Sequence, residues 1–205
     1  IGCLGVGSAN SLSKDTDLAL ALGTKLGDFT TGSWTNFHNP NFKLVSINAA
    51  RFDVSKHRAT PVVSDAKLGL LELSKVLGDW KAPDKWYQRA SKESEDWDKY
   101  VQKQSAPTNQ EFPSYAHAVG AVYRNSDSSD IVVTAAGGLV GETVQIWKPK
   151  ELNTFETEWG FSCMGYEISG ALGIKMAKPD QDVIVFVGDG SYLLHNSDIY
   201  SSVLY

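Results

Sequence analysis

Residues 182–200, "DVIVFVGDGSYLLHNSDIY", run five apolar residues into Gly-Asp-Gly-Ser and then into a segment that reads as a helix. A short, continuous apolar run that ends at a glycine turn fits a strand buried on both faces, as in a parallel sheet covered by helices. The same grammar occurs upstream. "DLALALG" (17–23) and "KLVSINA" (43–49) read as strands, and "DIVVTAAGG" (130–138) is a strand entering a second glycine turn. Helical patterns separate them. In "DAKLGLLELSKVLG" (65–78), Asp65 can cap the start, Gly78 can end it, and Leu68, Leu71 and Leu73 lie near one another on a face. "GYEISGALGIKMA" (165–177) is a helix with tight-packing glycines. The chain is therefore α/β, with two Rossmann-like parallel-sheet units.

Between those units the character changes. Residues 84–104 carry ten charged side chains, while Trp86, Ala90, Trp97 and Val101 recur at helical spacing. Such a stretch is a solvated helix that docks by one aromatic edge. Two prolines in "SAPTNQEFP" punctuate the chain before a helix from Ser114 to Tyr123, on which Tyr115, Ala118, Val119 and Val122 share a side. The expected organisation is a first domain over 1–82, a helical linker over 83–109 and a second domain over 110–205.

Composition narrows the function. The 205 residues are 42% hydrophobic and 21% charged, with a net charge of -5, which provides no basic footprint for nucleic acid. No apolar run approaches the roughly 20 residues of a membrane span. These features point to a cytosolic protein with neither nucleic acid nor membrane as a partner. Cys3 and Cys163 are too few for a disulfide framework or a zinc site, so they read as reduced, mostly buried thiols. His38, His57 and His117 have no ligand spacing. "GVGSAN" (5–10) lacks the third glycine of a dinucleotide fingerprint and has no strand before it.

Ligands of open parallel sheets collect beyond the carboxyl ends of the strands. Gly188 and Gly190 allow a sharp turn and close approach, and the amides of Gly190 and Ser191 face where phosphate oxygens are favoured. Asp189 cannot hold a phosphate without a counterion, and a hard divalent cation such as Mg2+ takes carboxylate and phosphate oxygens together. A plain turn with Asp189 as helix cap accounts for "GDGS" equally well when it is taken alone.

The surrounding residues shift that balance. "EWGFSCMGYEISGALGIKMAKPDQDVIVFVGDGSY" resembles the cofactor domain of the thiamine diphosphate enzymes. Together with "TAAGG", "NSDIYSSV", "LALGTKLGDFTTGSW" and "INAARFDVSKH", it is similar to one branch of that superfamily, the ring-opening dione hydrolases of bacterial myo-inositol breakdown. The resemblance implies thiamine diphosphate and Mg2+ as cofactors, with Asp189 as a metal ligand. It implies Met164, 25 positions before Asp189, as the apolar prop under the bent cofactor. Ser162 stands where a main-chain carbonyl of the family meets the aminopyrimidine, at a position often occupied by glycine. Gly137 and Gly138 match the loop approaching the diphosphate, and Gly188, Gly190 and Ser191 complete the cofactor-binding set.

The bland alternatives are core packing for Met164 and an ordinary loop for Gly137 and Gly138. Glu167 is a lone carboxylate near Met164. His195 could face a substrate or be a packing or surface residue, while Asn196 and Asp198 could contact metal or solvent, with solvent the simpler reading.

By the same resemblance residues 1–82 are the later part of a central Rossmann-like domain, and 110–205 the first part of an incomplete thiamine diphosphate-binding domain. The reaction implied is hydrolytic C–C cleavage of a cyclic diketone, a small-molecule substrate, within a homo-oligomer. The family's activating Glu lies in an N-terminal domain and its second metal-ligand Asn some way beyond Asp189. The chain is thus expected to be a fragment that is inactive alone, with no catalytic residue of its own. The cofactor features alone do not separate this activity from a carboligase, a 2-keto acid decarboxylase or a non-catalytic module of the same fold.

Overall fold

In the computed structural model the described residues are 1–158 and 160–204; Trp159, inside the quoted motif, and Tyr205 lie outside them. The chain divides into two compact units, Ile1–Lys99 and Tyr100–Tyr205.

The first unit contains α1 (Gly7–Asp15), β1 (Leu18–Leu22), α2 (Asp28–Thr31), β2 (Lys43–Asn48), α3 (Arg51–Val54), β3 (Thr60–Val63), α4 (Ala66–Leu77) and most of α5 (Asp84–Gln104). Its sheet is parallel with order β1-β2-β3, and Leu18 to Leu22 pair in register with Lys43 to Ile47. Ala21, Leu26 and Leu44 form the buried cluster, against which Trp34 and Phe42 pack. The Trp34 ring stacks on His57 at 4.1 Å, and His57 Nε2 lies 2.9 Å from the Leu26 carbonyl.

The caps of α4 are where the sequence puts them. Asp65 accepts a 3.0 Å hydrogen bond from the Leu68 amide, and Gly78 ends the helix at φ 52. Of the expected face, Leu68 and Leu71 are exposed and Leu73 is only partly buried. The helix meets the sheet through Gly69 instead, where an added Cβ would stand 2.7 Å from Ile47 Cγ2. A glycine admits closer backbone approach than a leucine stripe does, and here the small residue sets the packing face.

Helix α5 has the expected bounds, and Trp86, Ala90, Trp97 and Val101 lie on its less exposed side. Trp97 covers Gly7 of α1, and Arg89 pairs with Asp15 at 2.8 Å and Glu93 at 2.9 Å.

The second unit contains α6 (Tyr115–Asn125), β4 (Ile131–Thr134), α7 (Gly138–Ile146), β5 (Phe155–Thr157), α8 (Tyr166–Ala177), β6 (Val183–Val185), α9 (Asp189–His195) and α10 (Ser197–Leu204). Its strands are parallel in the order β5-β4-β6. The central strand β4 is buried along its whole length, which explains its unbroken Ile-Val-Val run.

Ser114 caps α6 in a reciprocal box with His117. The buried residues of α6 are Ala116, Val119 and Gly120, whereas Tyr115 and Ala118 are exposed. The buried face keeps the expected Val119 but is rotated away from Tyr115 and Ala118 toward Ala116 and Gly120, because Gly120 packs against Ser105.

The cysteines also differ from expectation: both are free thiols, but both are exposed. Each lies on a loop and not in a strand or helix of the core. Among the described residues no helix is long and apolar enough to cross a membrane.

Candidate functional site

Because β4, β5 and β6 are parallel, the loops that follow them leave from one edge of the sheet. Residues 135–137 follow β4, 158–165 follow β5 and 186–188 follow β6. All the sequence-predicted site residues fall on these loops or on the first turns of the helices behind them.

Gly137 adopts φ 86, a conformation that L side chains rarely take, and a Cβ there would meet nothing within 4 Å. Gly138 is an ordinary first helical residue, whose Cβ would rest 3.7 Å from Tyr115. Gly188 likewise faces open space. Asp189 is exposed, with Oδ1 accepting a 2.9 Å hydrogen bond from the Gly190 amide, while Ser191 behind it is buried.

The structure also brings Met164 to this turn. A Cβ on Gly190 would stand 2.9 Å from Met164 Cε, so the absence of a side chain at 190 leaves room for the thioether. Met164 is 47% exposed, which removes the core-packing alternative.

The β5 loop owes its shape to two carboxylates. Glu158 accepts hydrogen bonds from the amides of Cys163 and Phe161, each at 2.8 Å. These donors hold its carboxyl below the ordinary 4.5. For a depressed folded value, the stabilisation is in place above the ordinary value and is lost as pH falls through the folded one. The Phe161 and Cys163 amides are therefore expected to lose exchange protection below about pH 4.5. Glu158→Gln should remove that dependence, as read by NMR across an acid titration.

Glu167 is wholly buried and links two loops. Its Oε2 accepts from the Gly165 amide at 2.9 Å and its Oε1 from the Ala136 amide at 3.2 Å. Ser162 lies in the left-handed region at φ 54, which gives a physical cause for the glycine often found there in the resembling family. Ser162→Gly is expected to stabilise the unit by about 1 kcal/mol, measured as a shift in urea midpoint.

His195 stands half-exposed at the end of α9. Its ring covers Gly165, and its Nδ1 lies 3.5 Å from Asp198. Neither Glu158 nor the linking role of Glu167 was foreseen from sequence. The available signal was an acidic residue in the first turn of α8 and another at the end of a strand.

These features fit a diphosphate ester with a hard cation. Open space lies over two glycines, an exposed carboxylate stands at the turn, and a half-exposed thioether abuts it. Asp189 is the exposed carboxylate at this turn, a hard oxygen donor of the kind such a cation takes. Among the described residues no group of three or more His, Cys, Asp or Glu forms a complete metal shell. A separate apolar cavity of ≈ 720 Å³ lies between α8, β6 and α10, and none of the predicted site residues line it.

Comparison with known proteins identifies the two units by family. Residues 1–73 match the central domain of thiamine pyrophosphate enzymes, and residues 135–205 match their C-terminal TPP binding domain. The 3D-(3,5/4)-trihydroxycyclohexane-1,2-dione hydrolase of Clostridium tetani is 34% identical over 99% of this chain and 35% of its own length. The protein of the same name from Geobacillus thermodenitrificans is 33% identical over 99% of this chain and 35% of its own. That of Lacticaseibacillus casei is 34% identical over 100% of this chain and 35% of its own. The chain thus spans about a third of the length of these curated relatives.

Proposed function

The chain belongs to the thiamine pyrophosphate enzymes, and on that premise we propose that the loops after β4, β5 and β6 hold thiamine diphosphate through Mg2+ in an enzyme that opens the ring of trihydroxycyclohexane-1,2-dione by hydrolytic C–C cleavage. The observation that carries this is the contact of Met164 with Gly190 beside the exposed Asp189, at the shared edge of three parallel strands. Identity of about a third along the whole chain to hydrolases of that name supports the substrate.

When bound, the cofactor supplies an electron sink for breaking a C–C bond beside a carbonyl. The chain's own residues do the holding. Asp189 gives a carboxylate oxygen to Mg2+. The amides of Gly137, Gly138 and Ser191 would face the diphosphate, Gly190 orients Asp189 through its amide and leaves room for Met164, and Gly137 and Gly188 keep the space clear. Met164 props the organic part from the β5 side, and the Ser162 carbonyl accepts from the aminopyrimidine. Residues 1–82 serve as part of the central domain, 83–109 as the linker and 110–205 as the cofactor-binding part. No catalytic residue is assigned within the chain.

Calorimetry on the chain tests the proposal. Weak association with thiamine diphosphate in Mg2+ is expected, disappearing in EDTA and with thiamine that lacks the diphosphate. Equal binding of thiamine and its diphosphate, or indifference to the metal, would contradict it.

A further inference from the structure

Glu167 has no part in the functions assigned so far, yet its side chain is wholly removed from water. Burying a carboxylate costs several kcal/mol unless its oxygens are satisfied. Among the described residues no lysine, arginine or histidine forms a salt bridge with it. Its compensation comes from two backbone amides, Gly165 at 2.9 Å and Ala136 at 3.2 Å, and from its place in the first turn of the twelve-residue helix α8.

The two amides belong to different loops. Ala136 immediately precedes Gly137 and Gly138, which face the diphosphate in the proposed site. Gly165 immediately follows Met164, the proposed prop. One rigid carboxylate therefore fixes the distance between the diphosphate loop and the prop. The loop after β4 is only three residues long and runs straight into α7, whereas eight positions of sequence separate the end of β5 from the start of α8. Glu158 still holds the Phe161 and Cys163 amides when the tie is lost, so the part released is the Met164–Gly165 end of the β5 loop.

Resting on the thiamine diphosphate reading, we infer that Glu167 is a positioning residue that sets Met164 against the Gly137–Gly138 loop without touching the cofactor itself. The side chain acts on the organic part of the ligand through Met164. Recognition of the diphosphate through Asp189 and the glycine amides does not pass through it.

That separation gives the test. Glu167→Gln keeps the shape but places an amide group where two N–H donors require two acceptors. The full chain and this variant are titrated with Mg2+-thiamine diphosphate and, separately, with Mg2+-pyrophosphate. The Ala136 and Gly165 amide protons are followed by NMR without ligand. The variant is expected to shift both amides and weaken thiamine diphosphate binding about tenfold, as supporting-shell losses do, while pyrophosphate binding stays within about twofold. Equal loss for both ligands, or no loss for either, would overturn the positioning role alone. Absence of Mg2+-dependent thiamine diphosphate binding by the unaltered chain would overturn the cofactor reading, and the role with it. Should Glu167→Gln fail to fold, Met164→Ala supplies the same comparison. It must then lose thiamine diphosphate affinity while keeping pyrophosphate affinity, and equal affinity losses overturn the inference.

Discussion

Asp189→Ala is expected to weaken Mg2+-dependent binding of thiamine diphosphate by at least about 100-fold, about 2.7 kcal/mol. In the proposed site Asp189 is the charged metal ligand, and among the described residues no cluster of further carboxylate, imidazole or thiol donors stands ready to replace its charge. The same change should barely alter the fold. Asp189 is exposed, and its hydrogen bond to the Gly190 amide is local, so the melting temperature without ligand should move by no more than about 2 °C. Calorimetry and thermal unfolding on the same preparation separate the two effects. Retention of metal-dependent binding in the variant would remove Asp189 from the site.

Gly165→Ala is expected to produce the largest loss of stability, roughly 3 kcal/mol, read from urea unfolding. Gly165 adopts φ 95, and a Cβ there would stand 2.2 Å from His195 Cδ2 and 2.9 Å from His195 Cβ. The second distance matters more, because His195 Cβ cannot swing away as a ring tip can. Adding His195→Ala to the variant relieves the contact with the ring but leaves both the 2.9 Å contact with Cβ and the backbone strain, so recovery should be partial. Full recovery would mean that the left-handed conformation costs little. An unperturbed midpoint for the single variant would mean that His195 does not cover Gly165.

The elements legible in sequence were those with long, uniform patterns. Strands β1, β2, β4 and β6 announced themselves as apolar runs, and α5 through its charge-laced aromatic stripe. Short or atypical elements were hidden. Strand β5 is three residues, Phe-Glu-Thr; β3 contains a proline; and α7 opens on Gly138 behind the cap Gly137, a pair that reads equally well as a loop.

Facing directions were harder still, because small residues set them. Gly69 and Gly120 dock α4 and α6, while a hydrophobicity pattern selects the leucines of α4 and the Tyr115 side of α6.

The site shows the same division. Glycine turns and the 25-residue interval between Met164 and Asp189 are properties of sequence, and the fold brings those two ends into contact at Gly190. Glu158 and Glu167 work by accepting from backbone amides. Ala136, one of those partners, is 31 residues distant in sequence, and no residue type marks an amide as a partner.

The most direct measurement is an NMR map of backbone amide shifts as the chain is titrated with thiamine diphosphate and Mg2+. Shifts are expected at Gly137, Gly138, Met164, Gly165 and Gly188 through Ser191, rising together with one dissociation constant. Shifts confined to the apolar groove between α8 and α10, or to residues 1–99, would place the ligand elsewhere and contradict the assignment.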